Sequence, residues 1–104
     1  MKLETVREDL QEIRYYYTHR QIFDKAKDIQ VRHAVIAKAE RYNRIAENAP
    51  PMLFDFYVSL YLLGNTQIAL AAERNYSQQY VKEVNQKLCD YFRVEIEKRG
   101  GIGI

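Results

Sequence analysis

The residues best suited to do chemistry are polar side chains on the outer faces of one predicted helix: Gln78, Gln79, Lys82, Asn85 and Gln86. A carboxamide can donate and accept a hydrogen bond at once, so Gln or Asn can pair with the edge of adenine in the major groove of DNA. The ammonium group of Lys82 could reach a phosphate or a guanine. The same residues would suit the solvated face of any surface helix, and the pattern alone leaves both interpretations open.

These side chains need a corner to present them, and the segment "NTQIALAAERNYSQQYV" at positions 65 to 81 is typical of one. Thr66 and Ser77 are residue types that cap helix N-termini, so each predicts the start of a helix. Ala71 is small enough for two helices to approach closely, and Asn75 tolerates the left-handed backbone of a tight turn, where glycine is common. These offsets match a helix-turn-helix, although short amphipathic helix pairs of other functions can share them.

The charge of the chain does not by itself favour a nucleic-acid partner. The formal net charge is +2, from 16 basic and 14 acidic residues. Residues 1 to 52 contain ten Lys or Arg against eight Asp or Glu, and residues 53 to 104 contain six of each. Binding to phosphates depends on a basic surface, and Glu83 and Asp90 would repel phosphate if they faced it. A DNA-binding prediction therefore depends on the motif.

Several other chemistries are excluded by residue types that the chain lacks. Cys89 is the single cysteine, so neither an internal disulfide nor a CxxC site can form. His19 and His33 have no cysteine near them, and no catalytic set or phosphate-cradling glycine loop can be assembled. We predict no metal, no cofactor and no enzymatic activity. The longest apolar run is too short to span a membrane, and acidic residues occupy the place of a signal peptide's apolar core, so we predict a cytoplasmic protein.

The N-terminal half predicts two helices that end before a pair of prolines. Leu3, Val6, Leu10, Ile13 and Tyr17 recur at helical spacing, with Glu8, Glu12, Arg7 and Arg14 on the solvated faces. This stripe could pack on its own domain or form the seam of a coiled-coil dimer. Three consecutive tyrosines cannot share one helix face, so at least one of them should be half exposed. A second helix is predicted from about Val31 to Glu47, connected through Asp28, Ile29 and Gln30, with this buried stripe: Val35, Ala39, Tyr42, Ile45 and Ala46.

The segment after the prolines is predicted to form the central helix of the fold. Pro50 and Pro51 force the preceding helix to end near Asn48, and Pro51 suits the first turn of the next one. The following "MLFDFYVSLYLL" is apolar on nearly every side, so two neighbours must cover it. One face contains Leu53, Phe56, Tyr57 and Leu60, and the other contains Phe54, Val58, Tyr61 and Leu62.

Together these patterns predict an all-α fold of about five helices, which we expect to form one compact domain. Residues 1–48 would form an N-terminal helical pair for dimerisation or docking, and residues 49–99 a helix-turn-helix unit. Val81, Val84 and Leu88 would be the inward stripe of its second helix. Gly100 predicts the end of this helix, and we expect residues 100–104 to form a flexible tail.

The segment "APPMLFDFYVSLYLLGNTQIALAAERNYSQQYVKEVNQKLCDYF", residues 49 to 92, resembles region four of sigma factors. The segments "IRYYYTHRQIFDKA" and "ERYNRIAENAPPMLFDFYVSLYLLGNTQ" resemble small sigma-like regulators of Gram-positive phages and integrated elements, including the ArpU-type late transcription regulators. The resemblance implies binding to double-stranded DNA through the second helix of the motif and a role in transcription. Sigma recognition helices usually carry Arg where this chain has Gln78 and Gln79, and the promoter-melting and clamp-binding regions are missing. The DNA-binding residues that we predict are Thr66, Gln67, Ser77, Gln78, Gln79, Lys82, Asn85 and Gln86.

These observations support three functional hypotheses. The first is a small helix-turn-helix transcription regulator whose helix over residues 77–93 reads the major groove, as a possible homodimer or docked on RNA polymerase. The second is a sigma-like interaction module that binds RNA polymerase or a phage protein without specific DNA binding. A third is a terminase-like DNA-packaging subunit, because such subunits also use this motif.

Overall fold

The fold is built from helices throughout the part of the chain that the computed structural model describes, residues 1–25 and 29–100. No strand occurs in those residues, which confirms the predicted all-α class. The central helix α4 continues directly into a short π-helical turn, Val58–Leu62. The helices are α1 (Leu3–Thr18), α2 (Arg20–Asp24), α3 (Ile29–Glu47), α4 (Pro51–Tyr57), α5 (Gln67–Arg74) and α6 (Gln78–Lys98).

The prolines separate α3 from α4 as predicted. Pro50 has an extended backbone (φ −52°, ψ 143°) that cannot continue a helix, and Pro51 is the first residue of α4. The π-helical turn after α4 is closed by a 2.8 Å hydrogen bond from the amide of Leu63 to the carbonyl of Val58. Gly64 then leaves the helix with a left-handed backbone, φ +77°. At the other end of the chain, Gly100 stops α6 with φ +80°, as predicted; residues 101–104 of the predicted tail lie outside the described residues.

The core is formed where α1, α3, α4 and α6 meet. Val6, Leu10 and Ile13 of the α1 stripe are fully buried within the chain. The stripe therefore packs on its own domain, and it is not available as a coiled-coil seam. The rings of Tyr42 and Tyr57 both pack on Phe92, with centroid distances of 4.8 and 5.3 Å. The predicted stripes of α3 and α6 are buried as well, through these side chains: Ala39, Tyr42, Ile45, Ala46, Val81, Val84 and Leu88.

Three local predictions were wrong, and one short helix was missed. Ile29 and Gln30 belong to α3 rather than to a connection, whereas Asp28 lies outside the described residues. The short helix α2 was not predicted. Phe54 is 40% exposed, because it lies in the first turn of α4, where the chain has only just left the prolines. Within the tyrosine run, Tyr16 is more deeply buried than the predicted Tyr17.

A buried carboxylate that the sequence did not reveal joins α1 to α3. Asp9 is 6% exposed and accepts a 2.7 Å hydrogen bond from the hydroxyl of Tyr42. The ammonium group of Lys38 lies 3.0 Å from the other carboxylate oxygen. Burial, and then the hydrogen bond to Asp9, raise the pKa of Tyr42 above its ordinary value. These contacts fix one side of α1 to α3, while α1 also packs against the π-helical turn and α6.

Candidate nucleic-acid interface

The corner between α5 and α6 has the local geometry that the sequence predicts. The hydroxyl oxygens of Thr66 and Ser77 each accept a 3.0 Å hydrogen bond from an amide of the helix that they precede. Asn75 adopts the left-handed conformation, with φ 56° and ψ 34°. The amide of Tyr76 then donates to the carbonyl of Ala71 at 2.9 Å, and Ala71 is 3% exposed. The two helices are thus held in a fixed relationship.

Arg74, the one basic residue of the segment at 65 to 81, lies against α4. Its guanidinium donates to both carboxylate oxygens of Asp55, at 2.5 and 3.2 Å, and to the hydroxyl of Ser59 at 3.4 Å. A two-point contact of this kind fixes the orientation of a guanidinium. Arg74 therefore stabilises the corner and is not available to a ligand on the outer face.

Most of the predicted site residues come together in one groove. An open depression of about 540 Å³ lies between the outer face of α6, the start of α5 and one side of α1. Thr66 lines a smaller neighbouring depression of about 160 Å³, while Ser77 and Gln78 are exposed outside both. The lining residues of the larger groove are Arg7, Gln11, Tyr61, Gln67, Gln79, Lys82, Glu83, Asn85 and Gln86.

The four predicted carboxamides of α6 differ in how much hydrogen-bonding capacity remains. The side chain of Gln78 makes no hydrogen bond to any described residue. Gln79 donates to Glu83 at 3.2 Å, which leaves its carbonyl oxygen and one N–H for a ligand. The carbonyl oxygen of Asn85 accepts from the hydroxyl of Tyr61 at 2.6 Å. Two-point pairing with adenine needs both a donor and an acceptor, so Gln78 and Gln79 are equipped for it and Asn85 is left with donors only.

Gln86 is engaged even more fully. Its carbonyl oxygen accepts a hydrogen bond from Arg7 of α1, and its amide nitrogen donates to Asp90 at 3.4 Å. The first of these contacts joins residues that are 79 positions apart in the chain. The side chain of Gln86 therefore connects α1 with α6. The residue spacing along α6 alone could not predict this contact.

The electrostatics at the start of α5 and α6 suit an anion. Neither helix has an acidic residue in its first turn, so the positive ends of the helix dipoles are not compensated locally. Lys82 is exposed and forms no ion pair with a described residue. Glu83 is the neighbouring carboxylate, and its hydrogen bond to Gln79 ties it to the same helix face.

Two lining residues from α1, Arg7 and Gln11, were missed as site residues. A signal for them was present, because Arg7, Gln11, Arg14 and Thr18 recur at spacings of four and three and therefore form a polar stripe on one helix face. Their place beside α6 follows from the tertiary packing of α1. Arg14, expected on a solvated face, is half-buried and donates to the carbonyl of Gly64 at 2.9 Å.

Residues 1–25 and 29–100 contain no cluster of His, Cys, Asp and Glu that could hold a metal ion. Cys89 is buried, and burial raises the pKa of its thiol, which disfavours the reactive thiolate. Within the same residues, no helix has the length and apolar character needed to cross a bilayer. No known protein family, curated protein or solved structure matches this chain.

Proposed function

We propose that this protein is a small cytoplasmic helix-turn-helix regulator of transcription that reads double-stranded DNA with α6. The observation that carries the proposal is the state of three side chains at the start of α6. Gln78, Gln79 and Lys82 are exposed, and both glutamines keep a free donor and a free acceptor. The capped corner described above holds this helix end outward, as entry into a major groove requires.

Each residue has a distinct role in this proposal. Gln78 and Gln79 would pair with base edges, adenine above all. Lys82 would contact a phosphate or a guanine, and Asn85 would donate to a base acceptor such as guanine O6 or thymine O4. Thr66 and Gln67, at the start of α5, would face the DNA backbone, since a helix N-terminus favours phosphate. These roles agree with the DNA-binding function that the resemblance to sigma-like phage regulators implies. We include membership of that class of regulators in the proposal.

A homodimer would strengthen such a reader, because two linked half-sites gain effective concentration. Since the apolar stripe of α1 is buried, we propose that a second copy would use another surface. RNA polymerase is the other partner that we propose, because a regulator of this kind must communicate with transcription.

The test is fluorescence anisotropy with DNA from upstream of the protein's own gene and of neighbouring late genes, against scrambled DNA, at two salt concentrations. We expect preferential binding that weakens as salt rises, because phosphate contacts release counterions. Gln79→Ala should lower discrimination by about 1–3 kcal/mol at one base pair without loss of fold. Lys82→Gln should weaken binding, while Lys87→Gln, which removes the same charge from outside the groove, serves as the matched control. Equal binding to all DNA, or none, would refute the proposal.

The alternative is a protein-interaction module with the same fold. It is favoured by two exposed apolar side chains near the start of α5, Leu63 at 67% and Ile68 at 64% exposure, because exposed apolar surface often marks a protein contact. If the anisotropy experiment shows no DNA preference, RNA polymerase becomes the partner to test. Replacing Leu63 and Ile68 by Ser should then abolish that association.

A further inference from the structure

The groove beside α6 is the first of four depressions that run along one side of α1. It shares Gln11 and Gln67 with the second depression, of about 160 Å³. The second shares Arg14 with a third of about 480 Å³, which in turn shares Thr18 and His19 with a fourth of about 390 Å³. These shared residues make the depressions one continuous surface, the α1 channel, from the reading face of α6 to the start of α2.

The α1 channel is basic although the chain as a whole is nearly neutral. Its described lining residues include four cations, Arg7, Arg14, Arg20 and Lys82, and a single carboxylate, Glu83. None of the four cations forms an ion pair with a described carboxylate. Five cations outside the channel do pair with carboxylates: Lys38, Arg41, Arg74, Arg93 and Lys98. The described lining of the channel therefore has a net positive charge, although cations that form no ion pair with a described residue, such as Arg44 and Lys87, also lie elsewhere on the protein.

The channel is also long enough to follow several phosphates of one DNA strand. Between Arg7 and Thr18, α1 rises by about 16 Å, and phosphates of one strand are spaced by about 3.4 Å along the duplex axis. The N-terminal end of α5 opens onto the middle of this path, since Thr66 and Gln67 line the second depression.

We propose that α1 is a second DNA-contacting element, along which the phosphodiester backbone flanking the site of α6 is held. This inference rests on the proposed function and gives the polar side of α1 a role other than dimerisation or docking. Arg7 and Arg20 at the two ends of the channel each contact a phosphate. Arg20 is oriented by the rings of Tyr16 and Tyr17, each 5.7 Å from its guanidinium carbon. Arg14 stabilises the base of the channel through its hydrogen bond to the carbonyl of Gly64.

The experiment measures the salt dependence of binding to duplex DNA for single-charge variants. The slope of log K against log salt falls by about 0.9 for each phosphate that the protein no longer neutralises. Arg7→Gln and Arg20→Gln should each lower it by that amount and weaken binding to preferred and scrambled DNA alike. Arg20→Lys keeps the charge and should keep the slope. Arg44→Gln is the matched control, because Arg44 is exposed on α3 and lines none of the four depressions.

The outcomes separate this inference from the function on which it rests. If the wild-type protein binds DNA preferentially but Arg7→Gln and Arg20→Gln have the slope of Arg44→Gln, the role of α1 is refuted and that of α6 stands. If Arg7→Gln changes the base preference but not the slope of log K against log salt, Arg7 acts only through Gln86. The slope of Arg20→Gln then decides whether α1 contacts the phosphate backbone. If the wild type shows no DNA preference, both proposals are overturned. Thermal melting of each variant checks that the fold is retained.

Discussion

The hydroxyl group of Tyr61 lies 2.6 Å from Oδ1 of Asn85 and donates a hydrogen bond to it. Tyr61 belongs to the π-helical turn after α4 and is 5% exposed, so its position is set by the core. Asn85 is half-buried on α6, at the edge of the groove. The core thereby determines which atoms of this carboxamide remain for a ligand, namely the two N–H donors.

Replacing Tyr61 by Phe should change DNA specificity more than stability. The ring keeps its packing, and removal of the hydrogen bond should lower the free energy of unfolding by about 1 kcal/mol. The freed carboxamide of Asn85 could then accept as well as donate, so preference at one base pair should relax toward adenine. Binding to a set of duplexes with single base-pair changes measures this effect, and urea unfolding measures stability.

Tyr57→Phe is the matched control for that variant. Tyr57 also donates a 2.6 Å hydrogen bond to an asparagine carbonyl, that of Asn43, but lies outside the described groove. It should show a similar loss of stability and unchanged base preference. Identical preference profiles for the two variants would contradict a positioning role for Tyr61.

Gly64→Ala should destabilise the protein for two reasons. A left-handed backbone costs about 1–2 kcal/mol for a residue with a Cβ atom, and the added Cβ would lie 2.5 Å from the methyl group of Thr18. Gly100→Ala isolates the first effect, because its backbone is also left-handed and, apart from its chain neighbours, no described residue lies within 4 Å of the added carbon. Unfolding should show a larger loss for Gly64→Ala than for Gly100→Ala, and Thr18→Ser should recover part of it. Equal losses would show that the contact with Thr18 adapts freely.

Ala71→Leu should damage the helix-turn-helix corner. Ala71 is 3% exposed at the contact between the two helices, and extra methylenes in a packed site cost about 1–3 kcal/mol. The neighbouring Ala72 is exposed on the same helix, so Ala72→Leu should change stability by less than about 0.5 kcal/mol. Thermal melting of both variants compares them directly, and a fully stable Ala71→Leu variant would argue against the close helix approach.

Stability should fall as pH rises above about 10, the ordinary pKa of tyrosine. Burial raises the pKa values of Tyr42, Tyr57 and Tyr61, so the unfolded chain loses these protons first and is favoured at high pH. Below that pH the three phenols are protonated in both the folded and the unfolded chain, so their full contribution to stability is present. Each buried phenol should add at most about 1.4 kcal/mol per pH unit to the decline. Urea unfolding between pH 8 and 11 should therefore give a shallower decline for Tyr42→Phe than for the wild type; an unchanged decline would mean that Tyr42 titrates normally in the fold.

The features that the sequence predicted well depend on neighbouring residues. Thr66 and Ser77 cap helices because their hydroxyls reach amides three positions away. Asn75 turns the chain because its own backbone tolerates positive φ. The buried stripes of α1, α3 and α6 follow from spacing within one helix, and therefore periodicity was sufficient to find them.

The predictions that failed or were missing concern relationships between distant parts of the chain. Asp9 looks like any solvated helix carboxylate until Tyr42 and Lys38 of α3 come into contact with it. Phe54 has the composition of a core residue, yet its turn of α4 leaves it partly uncovered. The π-helical turn was also missed; it packs against α1, a contact between distant parts of the chain that no local spacing encodes.

The sequence by itself determined the helix class, the corner of α5 and α6 and the identity of the polar residues on α6. Only the tertiary structure decided how those residues can be used. It brought α1 beside α6 through contacts such as Arg7 with Gln86, occupied the carbonyls of Asn85 and Gln86, and gathered unpaired cations along one channel. The physical reason is range: capping and helical periodicity act within a few residues, whereas the hydrogen-bonding capacity and the local charge of a side chain depend on every element that packs around it.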